Sequence, residues 1–84
     1  MKMQIGQVTH YYNRIGVAVL NLDEGLKVGD VIRVRGRHTD FTQAVESMEI
    51  EHQKVELAGP GADVALKVTQ TVREGDTVYQ AKEE

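Results

Sequence analysis

Gly25-Leu26-Lys27-Val28-Gly29-Asp30-Val31-Ile32-Arg33-Val34-Arg35-Gly36 is the stretch on which the fold class turns. Its glycines and Asp30 mark a tight turn, because glycine tolerates backbone angles that other residues avoid and a short carboxylate hydrogen-bonds turn amides. Beyond the turn the residues alternate strictly, with Ile32 and Val34 on one side and Val31, Arg33 and Arg35 on the other. Asp30 to Gly36 therefore reads as a half-buried β-strand entered through a glycine turn.

The same grammar extends in both directions. Upstream, the run from Gln4 to Tyr12 changes phase: Met3 and Ile5 share one face, Val8, His10 and Tyr12 the other, and Gly6 between them marks a β-bulge. Asn13-Arg14 makes a turn into Ile15 to Leu20, which is apolar on both faces and so reads as a strand covered on both. Downstream, Arg37-His38-Thr39-Asp40 turns the chain, and Phe41 to His52 reads as a long strand with a second bulge near Ser47. Gln43 to Ala58 has an equal claim to be a helix, being rich in Glu, Ala, Leu and Met and ending at Gly59. Ala62 to Val68, with Ala62, Val64, Leu66 and Val68 inward, and Asp76 to Ala81 complete a set of six strands. The tail Lys82-Glu83-Glu84 is expected to fray.

A chain of 84 residues can hold one core, so residues 1–84 are expected to be a single domain. With no cysteine, that core has neither disulfides nor thiolate metal sites to staple it. The start, Met1-Lys2-Met3-Gln4-Ile5-Gly6, lacks the apolar stretch of a secretion signal, and no apolar run approaches the ~20 residues of a membrane helix. A cytoplasmic location is the expectation. The net charge of −3 divides unevenly: residues 1–43 carry six Lys/Arg and four Asp/Glu, residues 44–84 four and nine. Any surface for nucleic acid must therefore be local.

Catalytic chemistry is poorly represented, and the expectation is a chain that is not an enzyme and takes no cofactor. Gly59-Pro60-Gly61 reads as a turn rather than a phosphate loop, since no Lys-Ser/Thr pair comes after it. Ser47, the only serine, has no nucleophile elbow around it. His10, His38 and His52 lie too far apart in sequence to suggest a metal site. Glu46, Glu49 and Glu51 read as a solvated face. Binding chemistry is better served. Arg33, Arg35 and Arg37 project from one face of a strand at every second position, with Lys27 near them, and either pair with Glu46, Glu49 and Glu51 across a hairpin or meet RNA or an acidic partner. Tyr11 and Tyr12 are placed to stack on a base or fill a protein interface, one of them packing inward.

Taken in order, Gly25-Leu26-Lys27-Val28-Gly29-Asp30, Gly59-Pro60-Gly61-Ala62-Asp63-Val64 and Arg73-Glu74-Gly75-Asp76-Thr77-Val78 resemble the strand-entry loops of domain 2 of translation elongation factor Tu, over about Gln4 to Tyr79. The resemblance implies an all-β, six-stranded closed barrel of Greek-key type, and it favours strand over helix for Gln43 to His52. Closure would also remove exposed sheet edges. It further implies a binding role on RNA or a ribonucleoprotein, with Arg14 matching a family arginine, Glu49 the family glutamate beside the aminoacyl group, and Asp63 replacing a family asparagine. The chain is also similar to small C-terminal barrels of the collagenase-like peptidase family. That likeness implies the alternative function, a protein-interaction module docked on such a peptidase, which the overall acidity favours. The candidate binding residues are thus Tyr11, Tyr12, Arg14, Arg33, Arg35, Arg37, Glu49 and Asp63.

Overall fold

In the computed structural model, residues 3–81 are described, and every regular element among them is a β-strand. In chain order these are β1 (Met3–Tyr12), β2 (Val17–Leu22), β3 (Leu26–Lys27), β4 (Val31–Arg35), β5 (Asp40–Ala44), β6 (Met48–Ile50), β7 (Gln53–Val55), β8 (Leu57–Ala58), β9 (Asp63–Lys67) and β10 (Thr77–Gln80). Eight of them form one antiparallel sheet in the order β5-β4-β10-β1-β2-β9-β6-β7, and β3 pairs with β8 separately. The helix reading of Gln43 to Ala58 fails. The expected fraying tail, residues 82–84, lies outside the described residues.

The three glycine loops are three copies of one device. Asp30 N–H donates to the Lys27 carbonyl (3.1 Å), Ala62 N–H to that of Gly59 (3.2 Å) and Asp76 N–H to that of Arg73 (3.1 Å). With positive φ at the third residue of each (Gly29 100°, Gly61 86°, Gly75 92°), these are type II turns, a geometry that side chains resist at that position. Two of them carry a second clasp: the Asp30 carboxylate accepts from the Lys27 amide (3.1 Å) and the Asp76 carboxylate from the Arg73 amide (2.9 Å).

Chain length forces the sheet to curl. β5 and β6 stand six places apart in the strand order, about 29 Å in a flat sheet, yet four peptide steps from Ala44 to Met48 reach at most about 14 Å. The two ends must therefore approach each other around a common interior. They do not zip together. β5 and β6 share no ladder, and the Gln43 side chain spans the seam instead, donating to the Lys67 carbonyl (2.9 Å) and accepting from the Thr69 amide (2.8 Å). The result is a half-barrel, and the expected closed six-stranded barrel is corrected. The crossover Val45–Ser47 breaks the expected strand Phe41 to His52 into β5 and β6, which lie near opposite ends of the strand order and are joined by no ladder. Ser47 lies in that crossover rather than at a bulge.

Inside the curl lies a single apolar cluster, to which Ile5, Leu20, Leu22, Ile32, Met48, Leu66 and Val78 each contribute a side chain at most 2% exposed. Full burial of such side chains contributes about 1.5–3 kcal/mol each. The alternation expected for β4 and β9 holds, with Ile32, Val34, Val64 and Leu66 buried. The bulge in β1 holds as well: pairing with β10 slips between Gln4 and Gly6, and a second slip against β2 falls between Val8 and His10. Gly6 passes so close to the Asn21 carbonyl that any side chain there would strike backbone. In β2 only Ala18, Leu20 and Leu22 are buried. Ile15, expected in a strand covered on both faces, sits in the preceding turn and is 60% exposed.

Candidate functional site

Register decides which outward side chains meet. Tyr12 of β1 lies opposite Val17 of β2, and Val17 opposite Lys67 of β9, giving one row across the outer face. A second row runs from Val19 through Ala65 to Glu49 and Lys54, across β2, β9, β6 and β7. Because Ala65 and Val17 are short, the rows leave a depression between two hairpin tips. It forms a groove of about 510 Å3 that also takes in Ile15 and His52. Its floor is apolar, from Val17 and Ala65; Tyr12 and Ile15 wall one side, and Glu49 and His52 the other.

Each wall is built by a turn. On the β1–β2 side, the Tyr12 carbonyl accepts from the amides of Ile15 (3.3 Å) and Gly16 (2.9 Å), and Gly16 takes φ 67°. That loop lifts Ile15 into solvent beside Tyr12, which is itself 50% exposed, and the Tyr12 ring meets His10 edge-on at 4.3 Å. On the other side, Ile50 pairs with Gln53 and only Glu51 and His52 connect them, with φ of 52° and 67°. Positive φ at both central residues is the type I′ hairpin turn, which favours Asn-Gly. Side chains held there carry about 1–3 kcal/mol of strain each, and such strain clusters at functional sites.

The sequence-predicted residues divide among several places. Tyr12 and Glu49 line the groove. Tyr11 and Arg14 line an adjoining depression of about 340 Å3 that shares Tyr12 and Ile15 with it, and Tyr11 also packs inward against the core. Asp63 lies far along β9 and accepts from the Asn21 side chain (2.9 Å). The arginines occupy a different part of the outer face, on β4 and the turn after it. Arg33 does not pair with Glu46, Glu49 or Glu51, because β6 is five places from β4 in the sheet. Its guanidinium instead grips Asp40 through two bonds of 2.9 and 3.0 Å, and these raise its pKa above the ordinary value against a smaller opposing effect of desolvation. Arg35 stands opposite Asp40 in the ladder, and Arg37 is exposed in the turn.

Ile15, Val17, Ala65, Lys67 and His52 are the site residues that sequence reasoning missed. Alternation already turned Ala65 and Lys67 outward, but only the β2–β9 register sets them beside Val17. No group of three His, Cys, Asp or Glu side chains among the described residues is arranged to hold a metal ion.

No family model matches the chain. An uncharacterized protease of Methanocaldococcus jannaschii is 42% identical over 83 residues, which are 98% of this chain and 20% of that protein. A collagenase of Porphyromonas gingivalis is 35% identical over 81 residues, 94% of this chain and 20% of its own length. The chain thus spans about a fifth of the curated relatives it matches. Among solved structures, the C-terminal domain of a Geobacillus thermoleovorans protein described as a U32 peptidase superposes with a TM-score of 0.88 at 22% identity, covering 92% of this chain and 98% of that one. Two expectations are corrected by these findings. The matching proteins are named protease and collagenase, so the likeness to elongation factor Tu is not supported, and neither is a place outside the enzymes. The likeness to the collagenase-like peptidases is upheld: along nearly its whole length the chain is similar to one portion of proteins named protease or collagenase, and it has the fold of a U32 peptidase's C-terminal domain.

Proposed function

We propose that this chain is a polypeptide-engaging portion of a collagenase-like peptidase, and that it meets polypeptide at the groove between Tyr12 and His52. The observation that carries this reading is the 42% identity over 98% of the chain to a fifth of a protease. The groove supports it in its own way. Ligand sites are concave and mostly apolar with a few polar groups, and this one sets an apolar floor between aromatic and charged walls. Tyr12 and Ile15, both largely exposed, are the kind of side chains that anchor protein contacts when covered.

A domain exchange tests the reading. The matching fifth of the Porphyromonas collagenase is removed, or replaced by residues 1–84, and cleavage of collagen is followed. Loss on removal and recovery on replacement is the expected result, with Tyr12→Ala and Ile15→Asp in the transplanted chain reducing the recovery. A truncated collagenase as active as the intact one overturns the proposal.

A further inference from the structure

The groove also carries a charge pattern that narrows what it takes. Resting on the polypeptide reading above, we propose that its ligand is an extended acidic segment, in which an apolar side chain sits over Val17 and Ala65 and a neighbouring carboxylate reaches Lys67 or Arg14. The local sign supports this. The chain as a whole is −3, yet the groove and the depression that shares Tyr12 and Ile15 with it hold Lys67 and Arg14 against the single carboxylate of Glu49.

Those charges are uncommitted. Among the described residues, neither Lys67 nor Arg14 makes a side-chain hydrogen bond or ion pair, whereas Arg33 on the other part of the face is clasped by Asp40. A cation without a partner at the lip of an apolar depression gains more from an incoming carboxylate than one already paired, because no existing contact is given up. The groove's shape sets the apolar half of the preference. Its floor is open because Val17 and Ala65 are short, so a bulky apolar side chain fills the space that a larger residue at position 65 would otherwise occupy.

The test uses the 84-residue chain, labelled with 15N, and two blocked peptides, acetyl-Gly-Asp-Phe-Asp-Gly-amide and acetyl-Gly-Lys-Phe-Lys-Gly-amide, followed by amide shift changes. Saturable shifts at Tyr12, Ile15, Val17, Ala65 and Lys67 are expected with the acidic peptide, at roughly tenfold or better preference over the basic one. Lys67→Glu should reverse that preference. Ala65→Leu should weaken binding of the acidic peptide by roughly tenfold while the thermal midpoint, measured alongside, stays near that of the parent. Equal affinity for the two peptides, or a preference for the basic one, overturns the acidic assignment while the polypeptide reading stands. Shifts centred on Arg33 and Arg35 overturn the choice of groove. Absence of saturable shifts overturns the inference altogether, and the collagenase exchange decides the parent reading separately.

Discussion

The outer face has two charged regions, and they differ in what their charges are doing. On β4 and β5, Arg33 commits its guanidinium to Asp40, and Arg35 stands across the ladder from the same carboxylate. On β2, β9 and β6, Lys67 and Glu49 flank an apolar floor without engaging each other, and the adjoining turn is bent through two non-glycine residues at positive φ. In sequence the first region is the conspicuous one, with arginine at three alternate positions. The second has one lysine, one alanine and a glutamate on two separate strands. The contrast is between charge that is already paired and charge that stands beside an apolar floor without a side-chain partner among the described residues.

The comparison holds only if both regions belong to one cooperative body, so the largest expected effect is a shared one. Leu20, buried in β2, should cost about 2–5 kcal/mol when cut to alanine. Amide exchange in β4 and β5 should accelerate together with that in β2 and β9. Protection retained by β4 and β5 alone would split the molecule into independent halves and remove the basis of the contrast.

A smaller effect sharpens the functional side. Replacing Glu51 with Asn and His52 with Gly gives the turn the residues its backbone prefers, and urea unfolding should show a gain of about 1 kcal/mol. The same double variant removes a groove wall and should weaken the acidic peptide. A gain in stability with affinity unchanged would mean that the strain at His52 has no part in binding. The smallest effect is expected on the arginine side: Arg33→Ala should leave peptide affinity at that of the parent and lower stability by about 1 kcal/mol or less, the upper end of what a partly exposed ion pair contributes. Loss of peptide affinity in Arg33→Ala would invert the comparison.

Legibility followed the range of the interaction. The three type II turns were readable because Gly29, Gly61 and Gly75 answer to constraints within four residues, and the Gly6 bulge because a phase change is visible inside one strand. Alternation in β4 and β9 was likewise local. Partnership between distant strands was the part that could not be read. The phase break near Ser47 in Phe41 to His52 reads as a bulge within one strand, whereas it marks a crossover whose two sides lie near opposite ends of the strand order. The error over closure and the false pairing of Arg33 with the glutamates both descend from that one crossover. The groove was hidden for the same reason: Tyr12 and Glu49 were singled out separately, but the floor between them comes from Val17 and Ala65, which only the β2–β9 ladder makes neighbours.

The place of β10 has a consequence for how such a chain comes into being. Thr77–Gln80 is the last strand among the described residues, yet it lies between β4 and β1 and bonds to both. Without it the strand order divides into two pieces, β5-β4 and β1-β2-β9-β6-β7, each with an unpaired edge where β10 belongs. During synthesis from the amino end neither edge has its partner, and such edges are prone to join other chains. Residues 77–80 act as a keystone, so nascent chains halted before Thr77 should be the ones that chaperones must hold.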